Sequence, residues 1–495
     1  MKNFRLLILL GAIFMCTNSD ALAQNELDVF RFSRDSPILT VRATGMGGAY
    51  GALGADLSSA GLNPAGLGMY RRSDMSAAIS INSKNVKANH NLIITSASKA
   101  QTDIGSFGVA LTTPSVNPDM PFVTIAYNFQ KRAIYSGVID LDRSNLNSSL
   151  LGVFHNNVEG TTDYTNLDNG SAFTFSSSLA WYAYLLDPNG SQIDSYTTPF
   201  DTNEEVEYSY FMEEDGTKDE HQFSIGCTLN EIISVGATVS SSNISYSQQS
   251  THSETVLDPD SDVASWEYTN TLFIDGSGYN LKLGAIANAD WLKLGLAWHS
   301  PTRFNLVDTY WNSVNSYFKD GSFYNPESPT GSYEYYLRTP SKLILSSAVI
   351  VDKYVIITAD YETIDLSKGS LEGIDNWSIP YGFDAENAAV ETSYTRTHEA
   401  RIGLEARINK YWRARIGSGL TTSPFTNEAG VEADPARTRF SLGAEYRLEE
   451  KYLGIAWTGS WYDEDLYVTD PSLQGTPINL SVSQTMLVIG GGIRF

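Results

Sequence analysis

Three groups of residues have types and spacings that could do chemistry. The first is TGMGGAYGALGADLSSAGLNPAGL, residues 44–67, with 7 glycines among 24 residues and one charge, Asp56. Glycine-rich loops can cradle a phosphate on backbone N–H groups. Here the templates fail. Gly45-Met46-Gly47-Gly48-Ala49-Tyr50 lacks the last glycine of G-x-G-x-x-G, and no Gly-Lys-Ser/Thr occurs. The second group, Asp258-x-Asp260-x-Asp262, is spaced like the start of a calcium loop. Val263 stands where the turn needs glycine, and Thr269 stands where the closing glutamate belongs, so no metal site is expected. The third group is the 6 histidines, at 90, 155, 221, 252, 299 and 398. None lies in an H-E-x-x-H or G-x-S-x-G setting. A serine–histidine lipase assembled from distant segments stays open as a minor alternative. No catalytic residue and no cofactor is assigned, and the chain is expected not to be an enzyme.

The formal charge of −24 argues against nucleic acid, which needs a basic face. Acids cluster at Glu204-Glu205, Glu213-Glu214-Asp215 and Asp258–Asp262, and are expected at solvated loop tips. Residues 1–23 read as a secretory leader: Lys2 and Arg5, an apolar core from Leu6 to Met15, then the small-residue exit Ala21-Leu22-Ala23. The core is too short to span a bilayer as a helix. An acylated Cys16 is the alternative, disfavoured by Met15 where a small residue is needed. Only Cys227 then remains, so the fold closes without internal disulfides.

The elements that must position any site have a period of two. Ala400, Ile402, Leu404, Ala406 and Ile408 share one face, with Arg401, Glu405 and Arg407 on the other. Phe440, Leu442, Ala444, Tyr446 and Leu448 alternate likewise with Ser441, Gly443, Glu445 and Arg447. Such runs are strands with one apolar and one polar face. Short turns near 230, 289, 352, 409 and 449 alternate with long polar stretches at 250–265, 310–334, 369–391, 423–436 and 469–479. That asymmetry is the mark of an outer-membrane β-barrel. Candidate strands number up to 16, near 75–82, 89–97, 104–112, 121–129, 131–140, 220–229, 232–249, 266–287, 291–309, 335–350, 353–368, 392–408, 410–422, 437–448, 451–468 and 480–495.

Other features agree with a barrel. Aromatic residues make up 12% of the chain, and Tyr335, Tyr336, Trp412, Trp457, Trp461 and Tyr462 lie near strand ends, as interfacial girdles do. Gly403, Gly417, Gly419, Gly443 and Gly490–Gly492 sit inside strands, where they permit curvature or leave room for a plug. The chain ends MLVIGGGIRF, and the terminal Phe495 after alternating apolar residues resembles the signal read by the barrel assembly machinery. Polar faces are expected to line the lumen, because Arg or Lys at the lipid midplane costs about 2–4 kcal/mol. Lumen charges of both signs suit contact with a plug or bracing of the wall.

The glycine-rich head has no sustained period of two. It is ended by Asn63-Pro64, since the residue before proline avoids the α region. Its small residues let backbone pack closely. ATGMGGAYGALGADLSSAGLNPAGL resembles the N-terminal hatch of the outer-membrane fatty-acid transport family, the FadL/TodX type, through its Gly51–Asp56 portion and Asn63-Pro64-Ala65. That family resemblance implies an all-β chain: a 14-stranded antiparallel transmembrane barrel (73–495) plugged by a hatch (24–72). It also implies passive, gated uptake of hydrophobic molecules such as long-chain fatty acids. Gly45, Gly47, Gly48, Gly51, Asp56, Asn63, Pro64 and Ala65 would be the hatch and gating residues.

In the family, ligand is captured on extracellular loops and leaves sideways through a kink in the third strand. Counted in order, that strand is Ile104–Thr112, where Gly105 and Gly108 are kink candidates, or else serve ordinary curvature. The long extracellular loop 141–219 carries SAFTFSSSLAWYAYLLDP, in which Phe173, Phe175, Leu179, Trp181, Tyr184 and Leu185 line a capture groove or pack the loop itself. Expected partners are a hydrophobic small molecule, outer-membrane lipids and, through Phe495, the assembly machinery. The protein is expected to act as a monomer. The rival readings are a receptor or adhesin barrel for haem or another ligand, and a general porin.

Overall fold

The computed structural model describes residues 26–90, 93–146, 149–352, 354–374, 382–426, 435–468 and 477–495. The leader expected at 1–23 lies outside the described residues, as do parts of the loops at 369–391, 423–436 and 469–479.

A closed antiparallel barrel of 14 strands forms the wall. β1 (Asp74–His90) and β2 (Ile93–Pro114) make the first hairpin. β3 runs in two pieces, Phe122–Ile134 and Gly137–Leu146. β4 (Val206–Leu229), β5 (Ile233–Thr255) and β6 (Val263–Asn288) are long enough to project well beyond a bilayer. β7 (Leu292–His299 and Arg303–Phe318) and β8 (Gly331–Arg338 and Lys342–Val351) are interrupted at facing positions. Pro301 and Pro340 sit in these two breaks, and neither has an N–H to give the ladder. Thr302 and Thr339 bond across instead. β9 (Val355–Asp365 and Ser370–Gly373), β10 (Arg396–Arg407), β11 (Trp412–Thr421), β12 (Arg437–Leu448), β13 (Lys451–Leu466) and β14 (Ile478–Arg494) complete the circuit. β14 closes on β1 from Arg494 opposite Asp74 to Asn479 opposite Asn89.

The count of 16 therefore falls to 14 by two mergers. Residues 89–90, 93–97 and 104–112 belong to the first hairpin, most of them to the single strand β2, and the candidates 121–129 and 131–140 both fall on the interrupted strand β3. The sequence hides the first merger because residues 95–103 are polar on both faces. As a result, Gly105 and Gly108 lie on the second strand, not the third. The third strand breaks at Tyr135-Ser136. The long connection shrinks correspondingly to 147–205.

Facing outward is an apolar belt that includes Leu294, Leu296, Ile402, Ile416, Leu442 and Leu453, with Trp291, Tyr354 and Trp412 exposed beside the short turns. Such a surface belongs in hydrocarbon with aromatic girdles at its rim. The inward face carries Asp360, Arg401, Glu405, Arg415 and Glu445, all buried. Two expectations reverse. Tyr335 points inward and is fully buried, and Tyr462 packs against the internal cap cluster, so neither is a girdle residue. Glu213, Glu214 and Asp215 lie within β4 and pair with lysines, rather than sitting at a loop tip.

Residues 26–73 fill the lumen. They form α1 (Glu26–Ser33), α2 (Val41–Gly45), α3 (Ser59–Leu62) and a 3-10 turn, Pro64–Met69. α2 packs on β11–β14, and the 3-10 turn packs on β3–β6 across the barrel. Above them α4 (Leu151–Val158), α5 (Tyr164–Asp168) and α6 (Ser177–Tyr182) form a cap.

Candidate functional site

The plug seats where wall and plug both lack side chains. Gly47, with φ +66, meets Gly417 of β11, where an added Cβ would lie 2.3 Å from the Gly47 nitrogen. Gly45 meets Gly443 of β12, and the wall glycine Gly403 meets the Met46 carbonyl. Gly48 (φ +79) faces Arg401 and Leu39. Opposite, Gly226, Gly236 and Gly284 of β4–β6 contact Gly68, Pro64 and Asn63. Asn63 is extended, as a residue before proline should be, and joins the parts of the plug. Its Oδ1 accepts from Ala65 N at 3.2 Å, and its Nδ2 donates to Gly51 O at 2.8 Å. Asp56 accepts from Thr40 Oγ1 at 2.9 Å and from Ser58 N at 2.9 Å, bracing the plug internally.

Charged anchors complete the seat. Arg42 makes a two-pronged pair with Glu405, both contacts 2.9 Å, and Glu405 also takes Arg415 at 2.6 Å. Asp360 accepts the backbone N–H groups of Tyr50 and Gly51 at 2.9 Å each. Asp35 sits among three cations: Arg132 at 2.5 Å, Lys218 at 3.0 Å and Lys342 at 3.4 Å. Burial alone would raise the Asp35 carboxyl; Arg132, then Lys218 and Lys342, hold it well below the ordinary carboxylate value. Thus the lumen charges both brace the wall and grip the plug. A polar cavity of about 50 Å³ between plug and wall is lined by Asp35, Arg132, Lys342, Glu362, Glu399 and Arg401, among others.

Above this polar floor the lumen is aromatic. α1 buries Val29 and Phe32 completely. Phe30 stacks on Tyr394 at 5.5 Å, and Phe32 meets Tyr135 edge-on at 5.7 Å. Phe304, Leu306, Tyr335, Leu337 and Phe383 continue the same cluster. Lys218 Nζ donates to Phe32 O at 2.8 Å, a cation placed at the helix C-terminus.

The wall has an unpaired seam between β2 and β3. β2 pairs with β3 only from Pro114 opposite Phe122 to Ser106 opposite Gln130. Its upper half, Ile93–Gly105, pairs with β1 alone. Gly105 is the bulge residue, left over between Ile104 opposite Ile79 and Ser106 opposite Ala78. Gly108 lies inside the paired part, with its face close to the Tyr127 carbonyl. The second piece of β3 turns inward, pairing with β4 and packing Ile139 and Leu141 with Val86 of β1 and Val482 of β14. Side chains rather than ladder bonds cross the seam. Lys131 pairs with Asp103 at 3.3 Å, Lys99 pairs with Glu213 and Asp215 at 2.9 Å each, and Thr95 Oγ1 donates to Asp140 O.

The 14 antiparallel strands close into one barrel, and solved structures share that fold over nearly the whole chain. This is the FadL/TodX fold. A FadL homologue of Pseudomonas aeruginosa matches over 92% of this chain and 98% of its own, at 14% identity and a TM-score of 0.55. The toluene transporter TodX of P. putida matches over 92% and 97%, at 11% identity and 0.54. The CymD monoaromatic hydrocarbon channel matches over 92% and 96%, at 12% identity and 0.50. No family model and no curated protein matches the sequence. The chain is an outer-membrane β-barrel with this FadL/TodX architecture.

Within it the cap residues separate into two sets. Leu179 and Leu185 are buried in the cap core, and Phe175 is buried against Tyr310 at 5.0 Å. Trp181 stacks on Tyr164 at 6.0 Å, exposed Tyr184 leans on Tyr324 at 4.5 Å, and Phe173 packs at the margin of the cap core. Sequence reasoning missed Asp35, Arg42, α1 and the wall glycines 226, 236, 284 and 295. The wall glycines had a readable signal, since glycine recurred on the polar face of successive strands. Asp35 had none, because its three cations come from three separate strands.

Proposed function

We propose that the protein carries hydrophobic molecules across the outer membrane by passive, gated diffusion. Ligand is captured at the cap, passes the aromatic cluster around α1, and leaves sideways into the bilayer after the plug moves. The observation that carries this reading is the seam between the upper half of β2 and the inward-turning piece of β3. A second observation supports a sideways route. The floor of the lumen is charged and closely packed, so an apolar molecule going straight through would have to displace buried ion pairs. The solved relatives named as toluene transporter and monoaromatic hydrocarbon channel favour apolar cargo. Long-chain fatty acids suit the same path, and the gating residues would be Gly45, Gly47, Gly48, Gly51, Asp56 and Asn63-Pro64-Ala65.

Capture is assigned to the cap surface at Trp181 and Tyr184, with Phe173 beside them, while Phe175, Leu179 and Leu185 hold the cap's shape. Reconstituted into liposomes, the protein should take up a fluorescent fatty acid or toluene without energy input. Trp181→Ala with Tyr184→Ala should slow uptake at low ligand concentration and leave the unfolding temperature of the barrel unchanged. Large open-channel conductance by the intact protein would sink the transporter reading in favour of a porin.

A further inference from the structure

We propose that Asp35–Ile38 is a removable edge strand that stops the seam, and that Asp35 is its lock. The proposal rests on the seam being the exit. β3 loses β2 as a partner after Gln130, and the next carbonyls are taken by the plug. Ile38 N donates to Lys131 O at 2.9 Å and Ser36 N to Arg132 O at 2.9 Å. Gln130 Nε2 donates to Ile38 O at 3.2 Å. A three-residue stretch of plug thus satisfies an edge that would otherwise be bare. On its other side Ile38 lies on the Gly105 bulge of β2, where an added Cβ would stand 2.4 Å from Ile38 Cγ2. The segment therefore touches both lips of the seam at the point where they part. Ile38 is buried, packed with Val41 of the plug and with Ala78, Ala456 and Val488 of the wall.

The lock is adjacent. Asp35 is held by Arg132, the unpaired bulge residue of β3, by Lys218 of β4 and by Lys342 of β8. One carboxylate on the stopper thus ties the lip of the seam to the far wall. Withdrawing Asp35–Ile38 removes the edge bonds, the Ile38 contact and the ionic tie together, so the seam opens only with the plug. Asp35 and Ile38 are positioning residues, and neither needs to touch ligand.

Two engineered crosslinks test this in liposomes with full-length protein, using a fluorescent fatty acid as probe. Ile38→Cys with Gly105→Cys joins stopper to lip; the Ile38 Cβ lies 3.2 Å from the position of a Cβ on residue 105, close to disulfide span. Thr95→Cys with Asp140→Cys joins the two lips directly. Oxidation of either pair should abolish most uptake, and reductant should restore it. Uptake blocked at 95–140 but unaffected at 38–105 overturns the stopper and spares the lateral exit. Uptake unaffected by both overturns the lateral exit and the stopper with it. A block at 38–105 alone places the exit elsewhere and also overturns the stopper. Asp35→Asn, which keeps the shape and removes the charge, should speed uptake and expose residues 26–40 to protease. Equal protection of wild type and variant would remove Asp35 as the lock.

Discussion

The plug meets two sides of the barrel in opposite ways. Against β10–β12 it is backbone on backbone, with Gly45 on Gly443, Gly47 on Gly417 and the Met46 carbonyl on Gly403, fastened by Arg42 on Glu405. Where β2 and β3 part, it adds one short backbone segment, and the two lips above that point are joined by side chains rather than by a ladder. Close glycine contact is stiff, because no rotamer can relax it. A seam of ion pairs and one added strand can part without disturbing the ladder on either side. The molecule therefore has a fixed hinge side and a releasable side.

The comparison breaks most readily at Arg42. Arg42→Ala should destabilise the docked plug near the lower end of the ~3–5 kcal/mol typical of breaking a buried pair, because Arg415 still neutralises Glu405. Protease cleavage within 26–70 and raised small-ion conductance would measure it. Gly417→Ala should come next, at about 1–3 kcal/mol, since its methyl would press on plug backbone that cannot swing away. The readout is a lowered unfolding temperature with the barrel still heat-modifiable on gels. On the releasable side Lys99→Ala should cost less than about 1 kcal/mol, as its partners Glu213 and Asp215 are half exposed. Its effect should show in uptake rate rather than in melting. The smallest effect is that of pH. Because Asp35 is depressed below 3.8, its stabilisation is fully present above that value and is lost only as pH falls through the lower folded value. Plug protection should therefore be the same at pH 8 and pH 5. A loss of protection between them would place a different group at the lock.

Much of the wall was legible. Strands such as 396–407 and 437–448 alternate cleanly because lipid lies on one side and charge on the other. The upper part of β2 does not alternate, because residues 95–103 are polar or small on both faces, and there one strand reads as two. The break in β3 was legible only as two neighbouring strands. The glycine-rich head announced close packing, and Asn63-Pro64 announced an extended turn. What Asn63 would face, the bare backbone at Gly284 and Gly295, was not written locally.

By itself the sequence determined which faces meet lipid, where the turns lie and that residues 44–67 pack as bare backbone, because period and residue size are local properties. Only the tertiary structure decided that β3 leaves the wall at Tyr135-Ser136, that Gly105 is a bulge at the lip, and that Asp35 lies among Arg132, Lys218 and Lys342. These depend on register around a closed ring, where one bulge moves every later contact and residues hundreds of positions apart become neighbours.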